Sequence, residues 1–212
     1  MLALNNSLKK LNLNFARLKD IDIHKHANNH FPESGNISIE TLKIKLTSGR
    51  MQSLAVPQWQ SFLGMFANLH HLTIECADFS KDVAFLKNVL FKMPHLRTLY
   101  LRKCVLNGSL AGLSEVLANQ ACQIEDLVLD FDNKLNGPTM ERQVIQMLDN
   151  NTSLKSLWMT RSVKLAIDIT HPLLQAIGRH TGLSRVTIEN AKLSCSTESH
   201  FERLKETIVG MA

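Results

Sequence analysis

Aromatic residues make up only 6% of this 212-residue chain, with one tyrosine and two tryptophans, so aliphatic side chains must fill any core it builds. No apolar run approaches the roughly 18 to 20 residues that a membrane-spanning helix needs. The opening "MLALNNSLKKLNLNFARLK" lacks the basic, apolar, small-residue order of a secretory signal. The four cysteines, Cys76, Cys104, Cys122 and Cys195, lie far apart and form no CxxC. They read as free thiols in a reducing, cytoplasmic compartment. There is no glycine-rich phosphate loop, no GxSxG and no HExxH. The histidines of "HKHANNH" (His24, His26, His30) read as surface residues, and His70 and His71 would point to opposite sides of a strand. Cys104 has basic neighbours in Arg102 and Lys103, but its place in the pattern below is interior, which argues for inert packing. The expectation is therefore a protein with no catalytic centre, no metal and no cofactor.

Hydrophobic residues reach 44%, and the mean hydropathy is −0.06, a globular composition. The net charge of +5 is dispersed, with no block of like charges, and favours an acidic partner only weakly. Spacing is more informative. In "LRTLYLRKCVL", Leu96, Leu99, Leu101 and Leu106 follow neither a strand's alternation nor a helix's rhythm. The same uneven pattern returns in "LKKLNLNFARL" from Leu8, "IETLKIKLTSG" from Ile39 and "LHHLTIECADF" from Leu69. It returns again in "IEDLVLDFDNKL" from Ile124, "LKSLWMTRSVKL" from Leu154 and "LSRVTIENAKL" from Leu183. Units starting near 8, 39, 69, 96, 124, 154 and 183 tile residues 1–212 as a single domain.

These stretches resemble the leucine-rich-repeat motif LxxLxLxx(N/C)xL, and their length is most similar to the ribonuclease-inhibitor subclass. The ninth motif position departs from Asn or Cys, holding Ala16, Thr47, Ala77, Cys104, Asp132, Ser162 and Ala191. Gly49 stands where the second unit needs an apolar eleventh residue, and the fifth and sixth units carry one extra residue before Leu135 and Leu165. The fourth and sixth positions alternate as on a strand, while the first and eleventh read as corners turning into the same core.

Amphipathic helical stripes follow the strands: Trp59, Phe62, Leu63 and Phe66; Val83, Leu86 and Leu90; Leu110, Leu113 and Leu117; Val144, Met147 and Leu148; Phe201, Leu204 and Ile208. Ile23, Ala27 and Phe31 mark the weakest of them. Pro57, Pro138 and Pro172 fall at helix starts, where a missing N–H costs little. No unit buries its apolar side alone, so neighbours must stack. Strands stack at about 4.8 Å and helices at about 10 Å. The expected fold is thus α/β: a right-handed solenoid of about seven repeats, with a parallel sheet on a concave face and helices on a convex one.

"MLALNNSLKKL" aligns without gaps to "MLDNNTSLKSL" at 147–157, the end of one unit's helix running into the next strand. Neither terminal unit shows a polar cap, which suggests a segment of a longer solenoid or end-to-end packing.

On the concave face, the third motif position reads Lys10, Thr41, His71, Thr98, Asp126, Ser156 and Arg185. The fifth reads Asn12, Lys43, Thr73, Tyr100, Val128, Trp158 and Thr187, and the seventh Asn14, Lys45, Glu75, Arg102, Asp130, Thr160 and Glu189. Tyr100, Val128 and Trp158 should form an apolar strip rimmed by Arg102, Asp126 and Asp130. Lys43, Lys45 and His71 complete the candidate partner-binding surface. Non-enzymatic recognition of a protein partner is the functional expectation. Similar modules serve as inhibitors, innate-immunity sensors, substrate arms of ubiquitin ligases and effectors that bacteria inject into host cytosol. The Asn- and Lys-rich units favour the effector. The alternative is polyanion or nucleic-acid binding through the basic first units, with Tyr100 and Trp158 stacking on bases.

Overall fold

In β2 (Thr41–Leu46, TLKIKL) the side chains of Leu42, Ile44 and Leu46 are buried, while those of Thr41, Lys43 and Lys45 are not. That two-residue period recurs in most of the long strands. The computed structural model describes residues 7–15, 38–46, 52–53, 57–80, 84–106, 108–131, 137–161 and 167–193. In chain order the elements are β1 (Lys10–Phe15), β2, β3 (Gln52–Ser53), α1 (Pro57–Gly64), β4 (His71–Glu75), β5 (Ala77–Asp78), α2 (Phe85–Leu90), β6 (Thr98–Cys104), α3 (Ser109–Leu117), β7 (Asp126–Phe131), α4 (Gly137–Asn150), β8 (Ser156–Arg161), β9 (Ile167–Ile169), α5 (His171–Arg179), β10 (Arg185–Ile188) and β11 (Ala191–Leu193).

The seven long strands form one open sheet in the order β1-β2-β4-β6-β7-β8-β10, with every pair parallel. Parallel neighbours need a crossover, and helices supply it between β2 and β10. Each helix packs against the next along the chain. A single open sheet alternating with helices is compatible with a solenoid-like arc. Among the described residues, no helix is long and apolar enough to cross a membrane.

One continuous core runs between sheet and helices. Ile39, Leu69, Leu96, Ile124 and Leu154, the first residues of five units, are buried in it beside the strand leucines and Leu63, Leu86, Leu110, Leu113, Met147 and Leu148 of the helices. Phe66 is equally buried but lies past the end of α1. Pro57, Pro138 and Pro172 each occupy the first or second helical residue. Thr170 caps α5 by accepting a hydrogen bond from the Leu173 N–H. Val83 and the stripes of Ile23–Phe31 and Phe201–Ile208 lie outside the described residues.

The turns after the strands differ from simple corners. Cys76, Lys103 and Asn190, each at the eighth motif position, have left-handed φ values of 63°, 52° and 53°. After this reversal the chain extends again, and β5 pairs with β3, β11 with β9, and Asp78 with Val105, all in parallel. The physical reason is alternation. Ala77 and Phe79, like Cys104 and Leu106, sit two residues apart and are both buried, which a short strand achieves. The Cys104 thiol reaches the carbonyl oxygens of Ile74 and Arg102, and burial pushes its pKa far up, so it is an inert core group.

Polar side chains close the unit boundaries. Asn151, 6% exposed, donates from Nδ2 to Leu117 O at 2.7 Å and accepts at Oδ1 from Leu154 N at 2.7 Å. His180 occupies the equivalent place one unit later, where its Nδ1 accepts from Gly182 N and Leu183 N, both at 3.2 Å. Its Nε2 lies 3.4 Å from Asn151 Oδ1. Two incoming N–H groups require an unprotonated Nδ1, so the imidazole is neutral with its proton on Nε2. Burial lowers its pKa below 6.5.

Two outcomes follow from this packing. Leu129→Ala, in the middle of the sheet, is expected to cost about 2–5 kcal/mol in urea unfolding. A base whose folded pKa is depressed leaves stability intact above its unfolded pKa and removes it as pH falls through and below that value. The wild type should therefore lose stability from about pH 6.5 downward. His180→Asn, which reproduces the acceptor that Asn151 supplies, should be less sensitive to acid over that window in melting curves.

Candidate functional site on the sheet face

The strands begin at Lys10, Thr41, His71, Thr98, Asp126, Ser156 and Arg185, and these residues are register partners across the whole sheet. The fifth-position residues pair in the same way, so Tyr100 lies beside Val128 and Val128 beside Trp158. Two strand spacings separate the rings, roughly 10 Å. Side chains at alternate positions share a face, which places Asp126 and Asp130 on either side of Val128 along β7.

Within this strip the structure corrects one detail. Val128 is not an open contact: only 7% of it is exposed. Thr98, one residue column away, is 8% exposed. Tyr100 and Trp158 are half-buried and line the strip's two edges. The Arg102 guanidinium sits 5.4 Å from the Tyr100 ring centroid, a cation–π contact. β6 and β7 slip register after Leu101, so Arg102 is not the partner of Asp130. That irregularity coincides with the left-handed Lys103.

Two donors on this face are enclosed yet unsatisfied. Trp158 Nε1 and Arg102 Nε make no hydrogen bond. Each such buried donor costs on the order of 1–3 kcal/mol. Native structures hold few of them, and they concentrate where strain or function demands.

The basic residues sit elsewhere. β2 is two strands from β6, so Lys43 and Lys45 are about 10 Å from the Tyr100 column, with His71 exposed on β4 between. Lys43 is ion-paired with Glu75 at 2.8 Å, and Lys45 has Glu75 as its register partner. Spacing alone does not reveal this neutralisation, although the two signs lie one strand apart in the repeat alignment. The nine candidate residues therefore divide into an aromatic cluster on β6–β8 and a basic pair on β2, of which Lys43 is neutralised by Glu75, with His71 beside it.

Two further depressions occur away from this face. At the strand entrances, Lys9, Ser38, Glu40, Asn68, His70 and His95 line a polar crevice of about 430 Å³. His70 stacks on His95 there, with centroids 6.2 Å apart, and the Lys9 ammonium holds the Glu40 carboxyl below its usual range. On the other side of the same 94–96 segment, Leu90, Phe91, Met93, Val116, Cys122 and Ile124 line an apolar crevice of about 80 Å³. Phe91, 46% exposed, is the large apolar side chain left open among the described residues. The described residues contain no group of three or more His, Cys, Asp or Glu placed to hold a metal ion. No protein-family model matches the chain, and no curated protein does.

The unpaired indole yields a direct test. Trp158→Phe keeps most of the ring area and removes the unmet donor. Stability in urea should hold or rise by up to about 1 kcal/mol. A loss above about 1.5 kcal/mol would mean that Nε1 has an acceptor after all.

Proposed function

We propose that the chain is a right-handed leucine-rich-repeat solenoid of about seven units, similar to the ribonuclease-inhibitor subclass, that recognises a protein partner on its strand face. The observation that carries this reading is the shared register that aligns Tyr100, Val128 and Trp158 across β6, β7 and β8. Exposed aromatic edges with a charged rim are the usual anchors of protein interfaces. Parallel strands hold those anchors before a partner arrives, so little further conformational entropy is lost on binding. The helices face the opposite side, and the right-handed sense follows the usual chirality of parallel crossovers. A cytosolic setting, including a host cytosol entered by a bacterial effector, suits free thiols such as those of Cys76, Cys104 and Cys122.

The rival polyanion reading is weakened by the Lys43–Glu75 pair, which neutralises one of the two β2 lysines it invokes. Generic polyanion binding falls steeply with salt, whereas an aromatic-anchored protein interface responds far less.

The test is a capture experiment with the intact chain beside Tyr100→Ala/Trp158→Ala, using circular dichroism to show that both are folded. Partner affinity should fall at least ~100-fold, because each anchor is worth about 2 kcal/mol or more. Identical partners held at equal strength by both proteins would remove the sheet face as the site.

A further inference from the structure

We infer that the segment docking on this face is a basic, extended peptide that lays an arginine or lysine side chain across the Trp158 end of the strip, against Asp126. The inference rests on the recognition reading and adds the partner's chemistry to it.

The chain carries a net charge of +5, whereas β7 brings two carboxylates to this face. Asp126 and Asp130 flank Val128 on β7, and the register partners of Asp126 are the neutral Thr98 and Ser156. Three other acidic groups on the sheet and its entrance are already matched. Glu75 is held by Lys43, Glu40 by Lys9, and Glu125 by both Arg97 and Lys155. Asp126 has no such cation among the described residues. A carboxylate left unmatched beside an aromatic ring is a complement to a positive side chain.

The face already shows how a cation sits on it. Arg102 lies over the Tyr100 ring at 5.4 Å. Trp158, on the other side of Val128, has no comparable cation among the described residues, although indole is the strongest of the aromatic faces for this contact. A guanidinium placed there would stack on the ring while its N–H fork reached the Asp126 carboxylate. The backbone of an extended peptide supplies the remaining need. Its carbonyl oxygens can accept from the Trp158 Nε1–H and Arg102 Nε–H donors once a small side-chain rotation exposes them. An anionic partner would instead bring its charge against both aspartates.

Phage-displayed random peptides long enough to cross three strands, panned on the intact wild-type chain, Asp126→Asn and Tyr100→Ala/Trp158→Ala, provide the experiment. Enriched peptides are synthesised and titrated while the indole N–H signals are followed by NMR. Trp59 is buried in the core, so its signal serves as the internal control for Trp158. Expected peptides carry Arg or Lys beside an apolar residue and shift the Trp158 signal. Asp126→Asn should weaken them by at least roughly tenfold, and peptide Arg→Gln should cost little more in that background. Ring-dependent peptides that are acidic or neutral, or indifferent to Asp126→Asn, overturn this inference and leave recognition at the face standing. Failure to enrich any peptide that depends on the two rings overturns both.

Discussion

A single carbonyl per unit holds the stack in register. Lys9 O accepts the N–H groups of both Glu40 and Thr41, and Glu40 O then accepts those of His70 and His71. The same two-into-one bond recurs at His70, Arg97, Glu125 and Lys155, with distances between 2.8 and 3.1 Å. Each joint fixes where the next strand begins. A slip of one residue would send every core leucine to the solvent face, so the bond and the hydrophobic pattern enforce the same alignment. Serine hydroxyls brace several of these boundaries from the side: Ser38 on Leu8 O, Ser153 on Ile124 O and Ser184 on Lys155 O.

Once register is fixed, the surface charges fall into place. Lys9–Glu40, Lys43–Glu75, Lys87–Glu115, Arg97–Glu125, Lys155–Glu125 and Arg179–Asp149 all join consecutive units. Each is largely exposed on at least one side and adds little stability alone. Their collective effect is selective. A unit stacked on the wrong neighbour would meet charges of the wrong sign, so the pairs discourage alternative arrangements of similar leucine strips.

Much of this was legible in the residues. The strand starts, the parallel register and the burial of most described residues of the helical stripes on α1 to α4 follow from period two, period near thirty and period 3.6. What escaped depends on side-chain reach rather than spacing. Glu75 neutralises Lys43 because a long ammonium arm leans across one strand, and the sequence gives the signs but not the lean. Val128 is enclosed between strands that carry two rings, which spacing alone does not show. The short strand that begins at Ala77 continues in plain alternation, with Ala77 and Phe79 both buried, but it lies beyond the strand positions of the repeat motif. His70 stacks on His95 of the next unit, a contact that treating His70 and His71 as neighbours on one strand could not suggest.

Stability and the proposed recognition make opposite demands on β6 to β8. The core side of these strands is closed, with Leu99, Leu101, Leu127, Leu129, Leu157 and Met159 all buried, so their backbones have little freedom. The outer side keeps two enclosed donors without acceptors, at Arg102 and Trp158. Packing alone would favour replacing both by apolar groups of similar shape. A rigid backbone bearing unmet polar groups is costly while free and favourable once acceptors arrive, because binding then recovers hydrogen bonds without first ordering the chain. The same arrangement at an unrigid edge would simply reorganise to satisfy itself. The tension is therefore sustained by the closed core beneath it, and the register that builds the interior also holds the proposed recognition face above.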